Sequence, residues 1–462
     1  MKKKMTALLL VAAMAGSLIG CGSNGGSAQN TNEESSSSET EADGGQEADS
    51  NADEANAASV GAEDDNTLTI WGWDPSFTFV SLEEAARVYQ EINPDFKLNL
   101  VEMTWDDVQA KITTSASAGE LGTLPDVLLL QDNAYQKNVM SYPDLFEDLT
   151  DCGVNFDEFS PGKISFSTID GKHYGIPFDN GTSVACYRTD ILEEAGFTID
   201  DFTDITWSQY IENGKKVLEV TGKPMVTIPS KSADLLLEMM RSAGASMFNE
   251  DGSVNLDNNE TINEAVDVYK EMLDTGVLRT VNDWNSYIES FTRGDVTGTI
   301  NGCWILASVQ IAEDQSGKWA ITNIPRLEKS PNATNYTNNG GSTWGVNAAS
   351  PKKALATDFL KNTFAGSKEM YDNILPSTGC LSTWLPAGDT DVYAQPVDFY
   401  AGDAIYQKIV DFGSKVPTSV NGKYYYEAAE ALATALSNIE NGGDIASELK
   451  TAQETASFSM GE

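Results

Sequence analysis

The stretch TLTIWGW, Thr67–Trp73, has the composition of a β-strand and opens the segment that decides the fold. The spacing of apolar residues predicts a helix over Ser81–Ile92, and a second strand follows at KLNLVEM, residues 97–103. A second helix is predicted over Trp105–Ala118, before the continuous apolar run VLLL at Val127–Leu130. Strands and helices that alternate in this way predict a mostly parallel sheet with helices on both faces.

The same alternation continues in the second part of the chain. Residues 67–462 are too many for one hydrophobic core, so we expect two α/β lobes. Ligands of such sheets lie beyond the carboxyl ends of the strands, which here are followed by Trp73, Asp74, Asp132, Asp179 and Trp304. Further strands are predicted at residues 183–187, 225–228 and 297–300, and further helices at Trp207–Thr221, Asp234–Ala243 and Thr261–Thr275.

The N-terminus has the pattern of a bacterial lipoprotein signal peptide. Lysines at positions 2–4 precede a short apolar run that ends in Leu18-Ile19-Gly20-Cys21. We expect residues 1–20 to be removed and Cys21 to be lipidated, which would anchor the protein on the extracytoplasmic face of the cell membrane. The alternative is an ordinary secretory signal in which Cys21 is incidental.

The segment after Cys21 is polar and acidic. Residues 22–66 contain no Lys, Arg or aromatic residue, so they bury too little apolar surface to offset the entropy of ordering. We therefore interpret residues 21–66 as a lipid anchor followed by a disordered linker that holds a folded domain away from the membrane. The alternative, an acidic interaction tail, would need a basic partner.

Composition and motifs exclude several function classes. The formal net charge of −41 argues against nucleic acid and anionic lipid headgroups as partners, because both bind basic faces. The chain contains no GxxxxGK[ST] phosphate-binding loop. The acidic loop Asn249–Glu260 departs from the calcium-binding pattern and is interpreted as a hairpin. We expect neither a bound metal nor a cofactor.

Cysteine and histidine usage narrows the chemistry further. His173 is the only histidine, which excludes Ser-His-Asp and Cys-His catalysis. The cysteines after Cys21 form no CxxC pair, and they either make two disulfides in one of three pairings or remain free buried thiols. These cysteines are Cys152, Cys186, Cys303 and Cys380.

Several motifs, in order along the chain, are similar to one known family. The chain resembles the extracellular solute-binding proteins of ABC importers, in the carbohydrate-binding family that includes maltose-binding protein. The Glu-Pro-Tyr segment of that protein is absent, and Pro229–Ser232 lies near its place, which argues against maltose as the ligand. The motifs are LTIW (68–71), LPDVLLLQDN (124–133), DGKHYGIPFDNGTSVACYRTDILEEAG (170–196), TINGCW (299–304) and GVNAASPKKALATDFLKN (345–362).

This resemblance implies a two-lobed periplasmic-binding-protein-like fold that holds a sugar between its lobes and closes over it. Lobe 1 is expected to comprise residues 67–178 plus 326–378, and lobe 2 residues 179–325 plus 379–462. The hinge strands are expected near Pro177–Gly181, Ile324–Leu327 and Leu375–Leu381, where Pro and Gly interrupt the α/β pattern.

The predicted binding residues match the chemistry of a sugar. A pyranose presents an apolar face that stacks on aromatic rings and a rim of hydroxyls that carboxylates and amides bind. By resemblance, Trp304 is the aromatic platform and Asp132 and Asn133 bind hydroxyls; Asp179 has the alternative of a turn residue at the hinge. The full set of expected ligand-binding residues is Trp73, Asp74, Asp132, Asn133, Asp179, Asn180, Trp284, Trp304, Gly341, Trp344 and Trp384.

These expectations combine into one function and two alternatives. The favoured function is a monomeric, non-enzymatic lipoprotein that captures a mono- to oligosaccharide and delivers it to the membrane permease of an ABC transporter. The first alternative is an exported carbohydrate-active enzyme, which would need a positioned acid and base. The second is a binding protein for another solute, such as a polyamine, a peptide or a metal ion.

Overall fold

The computed structural model describes residues 64–417 and 422–461. The predicted signal peptide, Cys21 and the linker through residue 63 lie outside these residues. Asp64 already contacts the first strand, because its carbonyl accepts a hydrogen bond from the Thr67 amide at 2.9 Å. Its carboxylate also pairs with Lys97 at 3.2 Å.

Strands and helices alternate through most of the described chain. The strands are β1 (Thr67–Gly72), β2 (Lys97–Glu102), β3 (Val127–Gln131), β4 (Thr168–Ile169), β5 (Lys172–His173), β6 (Ile176–Asp179), β7 (Ser183–Arg188), β8 (Val226–Pro229), β9 (Leu278–Val281), β10 (Gly298–Gly302), β11 (Trp319–Thr322) and β12 (Ser342–Val346).

The helices are α1 (Val80–Tyr89), α2 (Trp105–Ala118), α3 (Asp132–Ser141), α4 (Pro161–Ile164), α5 (Thr189–Glu194), α6 (Trp207–Thr221), α7 (Asp234–Ser242), α8 (Glu260–Thr275), α9 (Trp284–Thr292), α10 (Ile305–Gln310), α11 (Lys353–Asn362), α12 (Lys368–Thr378), α13 (Ile405–Gly413), α14 (Tyr425–Glu440) and α15 (Ile445–Met460). Local sequence explains the boundaries of α6. Thr206 starts α6 with a capping box to Gln209, and Gly222 ends it in the left-handed conformation.

The first sheet contains five strands in the order β2-β1-β3-β12-β6. Strand β1 is parallel to β2 and β3, as the sequence predicts. Strand β12 is antiparallel to both of its neighbours, β3 and β6. The parallel expectation therefore holds only for the part of the sheet that is built from consecutive strand–helix units.

The second sheet contains three strands in the order β10-β7-β11. Strand β7 is antiparallel to both neighbours, so the prediction of a mostly parallel sheet is wrong here. The physical reason lies in the chain path. Strands β10 and β11 are linked through α10 and run in the same direction, whereas β7 arrives directly from the first sheet and inserts between them. A separate pair, β8 and β9, is parallel.

The chain passes between the two sheets at short segments. Residues 180–182 join β6 to β7 and overlap the C-terminal part of the first expected hinge, Pro177–Gly181. Ile324 and Leu327 instead pack in the core around the second sheet, at least 15 residues before β12 begins at Ser342. The chain therefore reaches the first sheet through residues 335–341, which we call the crossing segment. Near the third expected hinge, Ile374 packs in the core around the first sheet, whereas the next residue, Leu375, packs beside β7 of the second sheet.

The cysteines and the acidic loop take forms that the sequence had left open or suggested. Cys152, Cys186, Cys303 and Cys380 are free thiols, the last three of them buried. The Asn249–Glu260 loop begins with a hairpin turn, in which the Asn249 amide donates to the Ser253 carbonyl at 2.9 Å. Among residues 64–417 and 422–461, no helix combines the length and hydrophobicity needed to cross a membrane. The same residues contain no cluster of metal-ligating side chains.

Candidate functional site

The candidate site surrounds two glycines at the end of the crossing segment. Gly340 and Gly341 both have positive φ angles, 75° and 104°. A Cβ atom on Gly341 would lie 2.5 Å from Asp132 Oδ2, and one on Gly340 would lie 3.2 Å from Trp304 Nε1. Glycine is therefore required where the backbone passes between these two predicted site residues.

Asp132 lies in a buried ion pair. Its carboxylate contacts the Lys163 ammonium, and the side chains of Lys163 and Asp132 are only 7% and 3% exposed. Thr343 Oγ1 donates to Asp132 Oδ1 at 2.7 Å, and Lys163 also donates to the Ser342 carbonyl at 2.9 Å. Both carboxylate oxygens therefore already have protein partners, so Asp132 holds β12 against the end of β3.

The titration of Asp132 reflects this environment. Burial raises the pKa of Asp132 to about 6, and the nearby Asp179 carboxylate adds to the rise. The Lys163 ammonium and the Thr343 hydroxyl oppose it. The carboxylate keeps its charge at neutral pH because Lys163 lies beside it.

Asp179 and Asn180 fix the first passage between the sheets. Asp179 Oδ1 accepts hydrogen bonds from the Ser342 amide, at 2.7 Å, and from the Ser342 hydroxyl. The Asn180 carbonyl accepts a contact from Cys303 Sγ at 3.1 Å, and its side-chain oxygen accepts from Thr182. Asp179 is 5% exposed, which favours the structural alternative that its turn-like sequence context had suggested.

Trp284 is the most exposed of the predicted site tryptophans, and its ring lies beside that of Trp304. Trp304 follows β10, and its indole N–H donates to the Asn339 carbonyl at 3.0 Å. The ring of Trp284 lies 5.8 Å from that of Trp304, and Trp284 is 44% exposed. Gly302 and Gly340 leave room for the Trp304 indole itself.

A second aromatic group contains Trp73 and two residues that the sequence analysis missed. Trp73 packs edge-on against Trp105 with ring centroids 5.5 Å apart. Trp105 lies 5.9 Å from Tyr426 of α14, whose hydroxyl donates to Gln131 Oε1 at 2.5 Å. Tyr426 thus brings a helix that packs in the core of the second sheet to the residue next to Asp132.

Three polar side chains that are at least partly exposed belong to the elements that carry these aromatic groups or contact the crossing segment. Asp74 is exposed in the loop after β1, where Ser76 Oγ donates to its Oδ1 at 2.7 Å. Asn133 is half-buried in the first turn of α3. Asp234, in the first turn of α7, is exposed and lies within hydrogen-bonding reach of the Asn339 side chain. The sequence analysis did not select Asp234.

Two predicted site tryptophans lie away from this region. Trp344 is completely buried in β12 and packs against Phe178 and Phe364 with ring centroids 4.9 and 5.3 Å apart. Its side chain belongs to the core of the first sheet, because alternation along β12 points it to the inner face. Trp384 is 9% exposed and donates its indole N–H to Glu158 at 2.8 Å.

The residues that sequence reasoning missed had weak local signals. Lys163 follows Ser160-Pro161-Gly162 in the sequence and belongs to none of the quoted motifs. Tyr426 lies far along the chain from the strand ends, within the run Tyr424-Tyr425-Tyr426. The prediction that a helix starts at Trp105 is confirmed. The contact between Trp105 and Trp73 depends on the register of β1 and β2, which the local sequence does not reveal.

Comparison with known proteins now identifies the family. A family model for "bacterial extracellular solute-binding protein" matches residues 84–401. The chain belongs to this family. This membership confirms the family that the sequence motifs predict. The two-lobed α/β fold that was expected from the resemblance is confirmed as well.

Individual relatives support the same assignment. A lactose-binding protein of Rhizobium radiobacter is 36% identical over 389 residues, which cover 84% of this chain and 92% of the relative. An arabinooligosaccharide-binding protein of Halalkalibacterium halodurans is 24% identical over 421 residues, covering 88% of this chain and 93% of the relative.

A solved structure agrees in fold. The ABC transporter-associated binding protein of B. animalis subsp. lactis, in complex with beta-1,6-galactobiose, has a TM-score of 0.71 and 22% sequence identity. The match covers 84% of this chain and 96% of the other. At this identity the likeness concerns the fold alone.

Proposed function

We propose that the protein is a carbohydrate receptor of an ABC importer, which captures its ligand outside the cytoplasm and delivers it to membrane permease subunits. Family membership supports a solute-binding role, and the curated relatives with assigned ligands bind sugars. The single observation that carries the sugar assignment is the ring pair Trp284 and Trp304 beside the crossing segment, in which Trp284 is 44% exposed and Trp304 is partly buried. Flat, accessible rings next to polar groups suit the apolar face and hydroxyl rim of a pyranose.

The ligand is proposed to be a short neutral oligosaccharide, with lactose the first candidate. This follows from the ligand of the relative that is 36% identical over most of both chains. Asp74, Asn133 and Asp234 would bind hydroxyls, because each is at least partly exposed. Asp74 follows Trp73, Asn133 lies two residues after the Tyr426 partner Gln131, and Asp234 contacts Asn339, whose carbonyl accepts from Trp304. Asp132 and Asp179 would act indirectly, by holding the backbone of the crossing segment.

Ligand binding is proposed to favour a closed arrangement of the two lobes. The polypeptide passes between the sheets at 180–182 and 335–341, where Gly181, Gly340 and Gly341 allow neighbouring atoms to approach closely. A ligand that contacts groups on both sides would shift the population toward closure by its differential affinity. Small-angle scattering would test this, since the radius of gyration should fall when a sugar binds.

The remaining parts of the proposal concern location and chemistry. Lipid attachment at Cys21, a linker that follows it and a monomeric state are proposed from the sequence. The role is proposed to be non-enzymatic, in line with a family of binding proteins. Metabolic labelling with an azide-bearing fatty acid should modify the wild-type chain and leave Cys21→Ser unlabelled.

The function is tested by equilibrium dialysis of the full chain against lactose, galactobiose and arabino-oligosaccharides. Spermidine and a short peptide serve as non-sugar controls. Retention of one sugar, recovered chemically unchanged, supports the receptor. Retention of a control solute alone, or hydrolysis of the sugar, contradicts it.

A further inference from the structure

Arg241 lies buried between the two aromatic groups of the candidate site. It is in the last turn of α7 and is only 4% exposed. Its Nη1 donates to the carbonyl of Asn338, in the crossing segment, at 2.6 Å. Its Nη2 donates to the hydroxyl of Tyr425, at the start of α14.

We propose that Arg241 is a positioning residue: it fixes the position of the Trp284–Trp304 pair relative to the second aromatic group, Trp73, Trp105 and Tyr426. It binds the Asn338 carbonyl, one residue before the carbonyl that accepts from Trp304, and the Tyr425 hydroxyl, one residue before Tyr426. The functional consequence rests on the proposed carbohydrate site, whereas the structural part is independent of any ligand.

The first arm of this arrangement runs through the crossing segment. Arg241 holds the Asn338 carbonyl, and the next carbonyl along the chain, Asn339, accepts the indole N–H of Trp304 at 3.0 Å. The Asn339 amide also donates to the Gly181 carbonyl at 2.6 Å. A shift of residue 338 would therefore move the acceptor that orients Trp304.

The second arm runs through consecutive tyrosines. The guanidinium lies over the Tyr425 ring, 5.7 Å from its centroid, in addition to binding the hydroxyl. The rings of Tyr425 and Tyr426 pack edge-on at 5.2 Å. Tyr426 then contacts Trp105 and Gln131.

The chemistry of arginine suits both arms. A planar guanidinium presents several donors in fixed directions, so one side chain can bind a carbonyl and a phenol at the same time. A lysine ammonium carries the same charge but lacks the planar set of donors that binds two acceptors in fixed directions. Glu238 and Asp234, on the same helix, lie near enough to interact with the positive charge.

The test uses the full chain labelled with 5-fluorotryptophan, observed by fluorine NMR without any ligand. Resonances of Trp105 and Trp304 are assigned with Trp105→Phe and Trp304→Phe. Arg241→Lys should move both resonances, whereas Tyr425→Phe should move that of Trp105 and leave that of Trp304 in place. The surface variant Arg293→Lys is the control, because that arginine is 65% exposed and pairs only with Glu289 among the described ion pairs.

Affinity for the sugar that the wild type retains gives the functional readout. Arg241→Lys should weaken binding by about tenfold or more, because a buried charged hydrogen bond is lost. Unmoved Trp105 and Trp304 resonances in both variants overturn the proposal. If Arg241→Lys does not fold, a Tyr425→Phe chain with an unmoved Trp105 resonance overturns it alone. A wild type that binds no sugar contradicts the proposed function, and the resonances still decide the positioning role.

Discussion

The Lys163 ammonium and the Asp132 carboxylate form an ion pair beneath Gly341, with both side chains more than nine-tenths buried. The pair joins the end of β3 to the start of β12, because Lys163 also donates to the Ser342 carbonyl. A residue expected to bind a ligand hydroxyl therefore stabilises the backbone beside the candidate site. Breaking a buried pair on one side is costly, since the remaining charge loses its partner.

Lys163→Met is expected to lower the free energy of unfolding by about 3 kcal/mol, measured by urea denaturation. Adding Asp132→Asn should recover part of that loss, because the uncompensated carboxylate is removed. Lys353→Met is the matched control, since Lys353 forms a partly exposed pair with Glu147. A loss for Lys163→Met no larger than that of the control contradicts the structural role.

Gly341→Ala is expected to be more damaging than an alanine at another glycine with positive φ. The new Cβ would lie 2.5 Å from Asp132 Oδ2, in a backbone conformation with φ of 104°. Gly119→Ala meets only the backbone strain, because nothing lies within 4 Å of its Cβ position. We expect a loss of about 1 kcal/mol for Gly119→Ala and roughly 3 kcal/mol for Gly341→Ala. Equal losses in thermal unfolding would count against a steric requirement at Gly341.

Trp344 and Trp304 are expected to respond in opposite ways to the same substitution. Trp344→Leu opens a cavity among Phe178 and Phe364, so it should cost about 3 kcal/mol of stability and leave sugar affinity unchanged. Trp304→Leu should remove the stacking surface and abolish binding with a smaller loss of stability. Calorimetric unfolding and titration of both variants separate the two roles. Lost affinity in a folded Trp344→Leu chain would contradict its assignment to the core.

Glu238 is expected to make stability depend on pH. Burial raises the pKa of Glu238 to about 8, with a further rise from Asp234, while the Ser183 hydroxyl and Arg241 oppose it. In the unfolded chain the same carboxyl titrates near 4.5. Between these values unfolding releases a proton, so stability falls as pH rises and levels off above about 8.

Glu238→Gln should remove that dependence. The contribution of Glu238 to the slope of unfolding free energy is about 1.4 kcal/mol per pH unit between pH 5 and 7. The matched control is Glu289→Gln, because Glu289 is exposed on the surface. Urea denaturation at a series of pH values measures the slopes. An identical slope for the wild type and Glu238→Gln would rule out the raised pKa.

Much of the fold was predictable from local patterns. The alternation of apolar segments predicted α2 and α6 near their observed bounds, and the apolar run at Val127–Leu130 corresponds to β3. The antiparallel direction of β7 and β12 was not predictable in this way. That direction depends on where the chain passes between sheets, which apolar periodicity does not encode.

The candidate site was predictable only in part. Strand-end reasoning selected Trp304 and Asp132, and the structure brings both to the glycine pair Gly340 and Gly341. It did not distinguish a carboxylate that faces ligand from one that pairs with Lys163, because that depends on a residue in another element. Tyr426 was missed for the same reason, since its contact with Gln131 joins residues far apart in the chain.

The central claim is that the surface around Trp304 binds a carbohydrate, and calorimetric titration of the full chain with lactose and galactobiose tests it most directly. We expect stoichiometric binding of at least one of these sugars, lost in Trp304→Ala and kept in Phe458→Ala, whose aromatic ring is exposed on α15. The claim is contradicted if the wild type binds neither sugar, or if Trp304→Ala binds the sugar as tightly as the wild type does.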